Sequence, residues 1–284
     1  MDCLILGGYG YLGSRIVDHL KDKLNIVIGT ENKTDFKSNY RNIYGYRKSN
    51  EEQLDVITKK FDLIIDASGI SGQSINLNST KKILNLNSFW PKKLAKSCIK
   101  NNCNLTFFSS SHCENFSVND DTKLKEIIYP YSKILAEKMI QDIAGWDKRI
   151  SIIRLGNLIG SPGKIYKGNS KLLPLDISKG LVNKGFAKIN SDPFKKIGFV
   201  PIAELLSSSL LNSPGFHRLY SKEKISIYDI THKINSCYEK TTGLKGIIKV
   251  KNKIKKECND FISEEIILEI MQMIDFFLGR KKVE

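Results

Sequence analysis

Short apolar runs alternate with longer stretches of helical spacing throughout the first half of the chain. Strand-length runs lie at about residues 2–6, 25–29, 42–46, 62–66, 104–109 and 150–155, and helical patterns lie near 13–21, 50–60, 88–100 and 130–145. This alternation predicts an α/β fold built on a doubly wound parallel sheet with helices on both faces.

After about residue 160 the regularity fades, and Gly160-Ser161-Pro162-Gly163 marks a break. The expected division is a parallel-sheet domain over 1–160 and a smaller, mixed region over 161–284, with about 197–220 returning to the first sheet. In the second region Phe199-Val200-Pro201-Ile202 leads into a helical Ala203-Glu204-Leu205-Leu206, and Phe216 to Tyr220 reads as a further strand. Near the end, Ser263 is placed to cap a helix on which Ile266, Ile270, Ile274 and Phe277 share a face, with Gly279 as its stop and Arg280-Lys281-Lys282 beyond it.

Composition narrows the class. With 284 residues, 41% of them hydrophobic, the chain has enough apolar material for a substantial core. The first strand begins at Asp2, so no signal peptide is expected, and no apolar stretch approaches the ~20 residues that span a bilayer; the expectation is a cytoplasmic protein without a membrane span. The six cysteines form no CxxC pair and read as core thiols, with no metal site expected. The net charge of +15 comes from scattered lysines, not from clustered arginines with interleaved aromatics, which argues against nucleic acid as a partner. The densest basic run, Lys249 to Lys256, reads either as an edge strand whose lysines discourage pairing or as an attractor for an anionic substrate.

Three stretches carry chemistry. The first strand runs into Gly7-Gly8-Tyr9-Gly10-Tyr11-Leu12-Gly13 and then a helix, which is how an α/β protein brings bare backbone and a helix N-terminus up to a pyrophosphate. Gly7 permits the tight turn, Gly10 leaves room for phosphate, and Gly13 lets the helix pack on the strand. The second strand ends in Glu31, about 18 residues after Gly13, where a carboxylate accepts from the adenosine ribose hydroxyls. That acid favours NAD over NADP by repelling a 2′-phosphate, although Lys33 nearby keeps NADP possible. Next, Ser109-Ser110-Ser111 end an apolar strand whose carboxyl end would face the same crevice, with Ser111 available to a substrate oxygen. Finally, in Tyr129-Pro130-Tyr131-Ser132-Lys133 the proline suits a first helical position, placing Tyr129 at the helix start with Lys133 on the same face. A neighbouring ammonium favours the phenolate and draws the phenol toward the range of a working acid or base.

Together with Asp66-Ala67-Ser68-Gly69, Arg154-Leu155-Gly156-Asn157 and Gly160 to Gly163, these motifs stand in the order found in the extended short-chain dehydrogenase/reductase family. The chain resembles its NAD-dependent epimerase/dehydratase group, which acts on nucleotide sugars, over residue 1 to about 235. The resemblance implies Tyr129 as proton donor and acceptor, Lys133 as the residue that holds the nicotinamide ribose and tunes the tyrosine, and Ser111 as the residue that orients the reacting oxygen. It implies a dinucleotide-binding Rossmann domain over 1–160 and a substrate-binding region over 161–284, with cofactor contacts from Gly7, Gly10, Tyr11, Leu12, Gly13, Glu31, Ala67, Ser68, Gly69, Ser109, Tyr129 and Lys133, a substrate diphosphate contact from Asn157, and a structural and relay position at Asn87. A homodimer through the helices near 88–100 and 130–145 is also implied.

Two departures shape the expected reaction. His112-Cys113 stand where sugar dehydratases carry Asp-Glu, so dehydration is not expected; Ile197, with Lys195 and Lys196 beside it, stands where many epimerases carry a phosphate-gripping arginine. The chain is short for an epimerase, which favours reduction of a keto sugar, with a nucleotide-sugar epimerase holding tightly bound NAD as the alternative. A non-catalytic cofactor-sensing or scaffold protein is the competing class; its mark would be a lost Tyr or Lys, and both are present.

Overall fold

The computed structural model describes residues 1–31, 39–70, 80–114, 116–118, 124–145, 148–168, 172–189, 192–221, 223–250 and 261–279. In chain order the elements are β1 (Asp2–Leu6), α1 (Tyr11–Leu20), β2 (Asn25–Thr30), β3 (Arg41–Tyr44), α2 (Glu51–Thr58), β4 (Leu63–Asp66), α3 (Thr80–Leu84), α4 (Trp90–Lys100), β5 (Asn104–Ser110), α5 (Leu124–Ala144) and β6 (Ile150–Leu155). There follow β7 (Asn157–Ile159), α6 (Leu173–Lys184), β8 (Phe186–Ile189), β9 (Lys196–Ile197), β10 (Phe199–Pro201), α7 (Ile202–Ser207), β11 (Gly215–Leu219), β12 (Ile225–Ser226), α8 (Ile227–Thr242), β13 (Ile247–Val250) and α9 (Glu264–Phe277).

The chain divides into two compact units that interleave in sequence. The first comprises Met1–Leu155, Gly163–Asn169 and Ser208–Leu219; the second comprises Gly156–Pro162, Ser170–Ser207 and Tyr220–Glu284. Of the segment at 197–220, only the part from Ser208 to Leu219 belongs with the first unit, while β9 and β10 belong with the second.

In the first unit a seven-stranded sheet runs in the order β11-β6-β5-β4-β1-β2-β3, and every neighbouring pair is parallel. Parallel strands covered on both faces must be apolar along their whole length, and Cys3 to Leu6 of β1 and Leu63 to Ile65 of β4 are indeed fully buried. Each such Leu or Ile contributes roughly 1.5–3 kcal/mol relative to exposure. One face is covered by Trp90, Leu94, Ala95, Ala136 and Ile140 of α4 and α5. Ile16 and Val17 are the buried apolar residues of α1 that follow its glycine turn. Strand order reverses at β1, which lies between β2 and β4, so the ligand crevice of this topology lies beyond the carboxyl ends of those strands.

Three local departures from the sequence reading bear on that crevice. The third strand stops at Tyr44, because Gly45 turns the chain with φ +63° and Tyr46 folds inward onto Trp90, ring centroids 5.3 Å apart. The helix expected from 88 is preceded by α3 and by a π turn at Asn85–Phe89. And α5 starts at Leu124, so Pro130 lies inside the helix instead of opening it. Proline cannot donate to the carbonyl four residues back, so α5 runs through Pro130 with one backbone hydrogen bond fewer.

The second unit holds three two-stranded pairs, β7 with β10 and β8 with β13 in parallel and β9 with β12 antiparallel, beside the mutually packed α6, α8 and α9. Ser263 caps α9 by accepting from the Ile266 amide at 3.5 Å, and Ile266, Ile270 and Ile274 are buried. Of the basic run, Lys249 and Val250 end β13, while 251–260 lie outside the described residues, as do Arg280-Lys281-Lys282. Five cysteines, at 3, 98, 103, 113 and 237, are buried free thiols, and Cys258 lies outside the described residues. No described helix is long and apolar enough to cross a membrane.

Candidate active site

The glycine turn after β1 is built so tightly that side chains would not fit. Gly7 has φ +74°, its amide donates to the Gly29 carbonyl at 2.9 Å, and its own carbonyl accepts from Gly10 N at 2.8 Å. A Cβ on Gly13 would lie 2.2 Å from the Gly7 carbonyl oxygen, and one on Gly7 would lie 2.9 Å from the Ala67 oxygen. Tyr11 and Leu12 form the first turn of α1, which has no side-chain cap and no acidic residue in that turn, so its dipole favours an anion. Gly163 packs on the same helix end: its amide donates to Ser14 Oγ at 2.9 Å, and Lys167 N donates to the Tyr9 carbonyl at 3.0 Å. This cradle of bare backbone fits a dinucleotide.

Two charged side chains flank it. Glu31, at the end of β2, accepts from the Arg47 amide at 3.1 Å through Oε1. Arg47 Nη2 donates to the Ser68 carbonyl, and its guanidinium lies 5.6 Å from the Tyr46 ring centroid. The sequence reading missed Arg47, which follows the third strand as one basic residue among many; Lys33 lies outside the described residues. The loop after β4 is fixed by Asp66, which accepts from the Ser68 amide at 3.1 Å, from the Ser68 hydroxyl and from Trp90 Nε1 at 3.2 Å. Ala67 N donates to the Leu6 carbonyl at 3.0 Å, so this loop is tied to β1 as well.

Asn87, carried by the π turn and fully buried, clamps the next residue of that loop. Its Oδ1 accepts from Ile70 N at 2.8 Å, and its Nδ2 donates to the Ile70 carbonyl at 3.1 Å and to Ser132 Oγ at 3.2 Å. Gly69 lies between Asn87 and Lys133, the side chains nearest to it. Lys133 is buried; its Nζ donates to the Phe108 carbonyl at 2.8 Å and stands 4.8 Å from the Phe107 ring centroid. Burial lowers its pKa to about 8, with Asp66 opposing the shift most strongly.

Tyr129 lies one turn before Lys133. Burial raises the phenol above its ordinary value, and a hydrogen bond with the Ser110 side chain draws it part of the way back. The expected lowering by Lys133 is therefore not what governs the phenol in this structure: burial dominates, and the ammonium is directed at the Phe108 carbonyl. The serines at the end of β5 divide their roles. Ser109 donates to Glu137, which Arg154 grips through Nε at 2.8 Å and Nη2 at 2.6 Å, so the Ser109 hydroxyl serves the interior and not the crevice. Ser110 meets Tyr129 and His112, and Ser111 opens the following 3-10 turn. Asn157 lies in the second unit, where its Nδ2 donates to the Gly198 carbonyl at 3.3 Å. Among the described residues no cluster of three His, Cys, Asp or Glu side chains is placed to hold a metal.

The sequence profile of the NAD dependent epimerase/dehydratase family matches residues 3–192. No curated protein matches the chain in sequence. Among solved structures, UDP-glucose 4-epimerase from Thermotoga maritima, crystallised with UDP-glucose, aligns with a TM-score of 0.73 at 17% identity, over 98% of this chain and 99% of that one. The UDP-glucose 4-epimerase from Bifidobacterium longum in complex with NAD+ and UDP gives 0.72 at 15% identity, over 98% of each chain. MoeE5 in complex with UDP-glucose and NAD gives 0.72 at 15%, over 98% of this chain and 99% of that one. At such identities the likeness is one of fold.

Proposed function

The chain belongs to the NAD dependent epimerase/dehydratase family, and from that premise we propose that it is an NAD-dependent oxidoreductase that reduces a nucleotide-linked keto sugar, with Tyr129 as the proton donor. The observation that carries the reading is the place of Tyr129 on α5, one turn before the buried Lys133 and in hydrogen-bond contact with Ser110 at the end of β5. The neighbouring structures hold NAD and uridine-nucleotide ligands, which supports the same cofactor and substrate class here.

A bound reduced nicotinamide supplies the hydride that the ketone carbon receives. The protein's part is to position and to move one proton. The Gly7 to Gly13 turn and the α1 N-terminus receive the pyrophosphate, and Glu31 accepts from the adenosine ribose. Tyr129 Oη gives its proton to the carbonyl oxygen as the carbinol forms, and Lys133, cationic at neutral pH, stabilises the phenolate left behind. Ser111 orients the substrate oxygen, and Asn157 meets the diphosphate.

One observation favours a second reading. Epimerases of known structure align over nearly the whole of this chain and of their own, so chain length does not disfavour a nucleotide-sugar 4-epimerase that retains NAD. Denaturing the purified protein, assaying the released dinucleotide, and following absorbance of added NADH with a panel of nucleotide-linked 4-keto sugars separates the two. Consumption dependent on one keto sugar supports the reductase; stoichiometric retained NAD without consumption supports the epimerase.

The proposal extends to a homodimer through α4 and α5. Ile134, Leu135, Met139 and Ile143 of α5 stay half-buried, and Tyr131 and Phe89 are 48% and 47% exposed, leaving an apolar face for a second copy.

A further inference from the structure

His112 stands at the solvent end of a short hydrogen-bonded chain that starts at Tyr129. Its imidazole Nδ1 is 3.1 Å from Ser110 Oγ, its backbone amide donates to the same oxygen at 3.2 Å, and its ring meets the Tyr129 ring edge-on at 5.9 Å between centroids. Ser110 is buried and hydrogen-bonded to the phenol, whereas the His112 side chain is exposed. A hydroxyl offers one donor and two acceptor positions. Ser110 fills all three if it accepts from the His112 amide and from Nδ1–H and donates to Tyr129 Oη, the direction that lowers the phenol and leaves Oη–H for the substrate. Nothing of Ser110 is then left for a substrate oxygen, and its remaining use is to pass a proton.

We propose that His112 reprotonates Tyr129 through Ser110 after each turnover, acting as a positioning and relay residue that never touches the substrate. The inference rests on the acid role proposed for Tyr129. Once the phenol has given its proton away, Ser110 Oγ–H transfers its proton to the phenolate and takes the one on Nδ1 of His112, while the exposed imidazole takes a proton from water at Nε2 and returns to the Nδ1–H tautomer by exchange with solvent. One O–H bond forms on Tyr129, one N–H bond breaks on His112, and one proton leaves bulk water for each ketone reduced. Among the described residues, the other charged or titratable groups linked to this turn are Tyr129, Lys133 and Glu137 from α5, Arg154 from β6, and Cys113 and Glu114 beside His112. Arg154 donates to both Glu137 and Glu114, burial raises the Cys113 thiol, and Lys133 is directed at Phe108. Within this set His112 is the group with both a path to Tyr129 and access to water.

The relay predicts a particular kinetic signature. Tyr129 starts protonated, so His112→Ala should complete its first turnover at the parent rate and then slow, with steady-state kcat down about tenfold, KM unchanged, and imidazole in the buffer restoring the later turnovers. Ser110→Ala should show the same slowing without rescue. Equal first and later turnovers in His112→Ala, or a loss that imidazole does not relieve, would overturn the relay. Turnover that survives Tyr129→Phe would instead overturn the acid role itself. A substrate-free measurement judges the relay independently: nitrogen NMR of the histidine-labelled chain at pH 8.5 should find His112 protonated on Nδ1, and Ser110→Ala should shift Nδ1. A proton on Nε2 with Nδ1 bare, or indifference to Ser110→Ala, would refute it.

Discussion

A methyl group added to Gly69 would lie 3.0 Å from Nζ of Lys133 and 3.3 Å from Oδ1 of Asn87, so the loop after β4 reaches the buried lysine with no space to spare. Lys133 is held by the Phe108 carbonyl and Asn87 by Ile70, and neither yields freely. Gly69→Ala should therefore leave the fold intact, shift Lys133, and lower kcat at least tenfold, read by steady-state kinetics beside a thermal melt. Gly13→Ala is harsher, since the clash at 2.2 Å is with the Gly7 carbonyl, and titration should show cofactor affinity lost.

Tyr129→Phe removes one hydroxyl and keeps the ring. Turnover should fall by roughly 10²–10⁴, the usual worth of a positioned acid. Cofactor affinity, measured by fluorescence titration, should change by less than about threefold, because the hydroxyl contributes little to binding. Rates comparable to the parent would remove Tyr129 from the proton-donating role.

The Lys133 ammonium is charged below a pH of about 8 and neutral above it, because burial lowers its pKa from the ordinary lysine value. Stabilisation of the Tyr129 phenolate is then present below that pH and lost as pH rises through it. The log of kcat/KM should descend above about 8, and Lys133→Arg, which cannot deprotonate in this range, should abolish that limb even if it turns over slowly. A parent profile flat to pH 9.5 would contradict the assignment.

Glu31 accepts from Arg47 N and so keeps its carboxylate at the end of β2. NAD should bind more tightly than NADP, and Glu31→Gln, with the Arg47 guanidinium left in place, should narrow the preference by roughly tenfold. Parallel titrations of both cofactors on both proteins check this; tighter NADPH binding by the parent would refute it.

Light scattering at micromolar concentration should report twice the chain mass of 32.2 kDa, and Tyr131→Asp should bring it down to one chain. A monomer in the parent would leave the half-buried face of α5 as ordinary packing.

The sequence made the sheet legible where burial on both faces forces unbroken apolar runs: β1, β2, β4, β5 and β6 fall where those runs lie. Tyr129 and Lys133 were legible because a spacing of four residues survives any shift in where α5 begins. Pro130 misplaced that beginning, since its preference for a first helical turn is local while the burial of Ile128 is tertiary. The clamp of Asn87 on Ile70 was invisible for the same reason: a π turn has no strong composition, and the partner lies 17 residues away. Ser109, Ser110 and Ser111 look alike in a row, and only the end of the strand and the position of Glu137 decide which hydroxyl faces the interior. The short β9 and β10 gave no sign of leaving the first sheet, because two- and three-residue strands take their identity from their partners.

The interleaving of the two units constrains the order in which the chain can fold. β11 pairs with β6 from Gly215↔Ser151 to Leu219↔Leu155, yet Gly156–Pro162 and Ser170–Ser207 of the second unit are synthesised between them. A nascent chain emerging from the ribosome thus has β1 to β6 available long before their last neighbour, and until then β6 is an uncovered edge. During that interval Glu114 can bind Arg154 but lacks its second partner, Arg218, which arrives only with β11. Closing the sheet across the inserted segment is a loop-closure step of high sequence separation and should be slow beside helix formation. A ribosome-stalled chain ending at Ser207 should accordingly be more open to protease along β6 than one extended beyond Leu219.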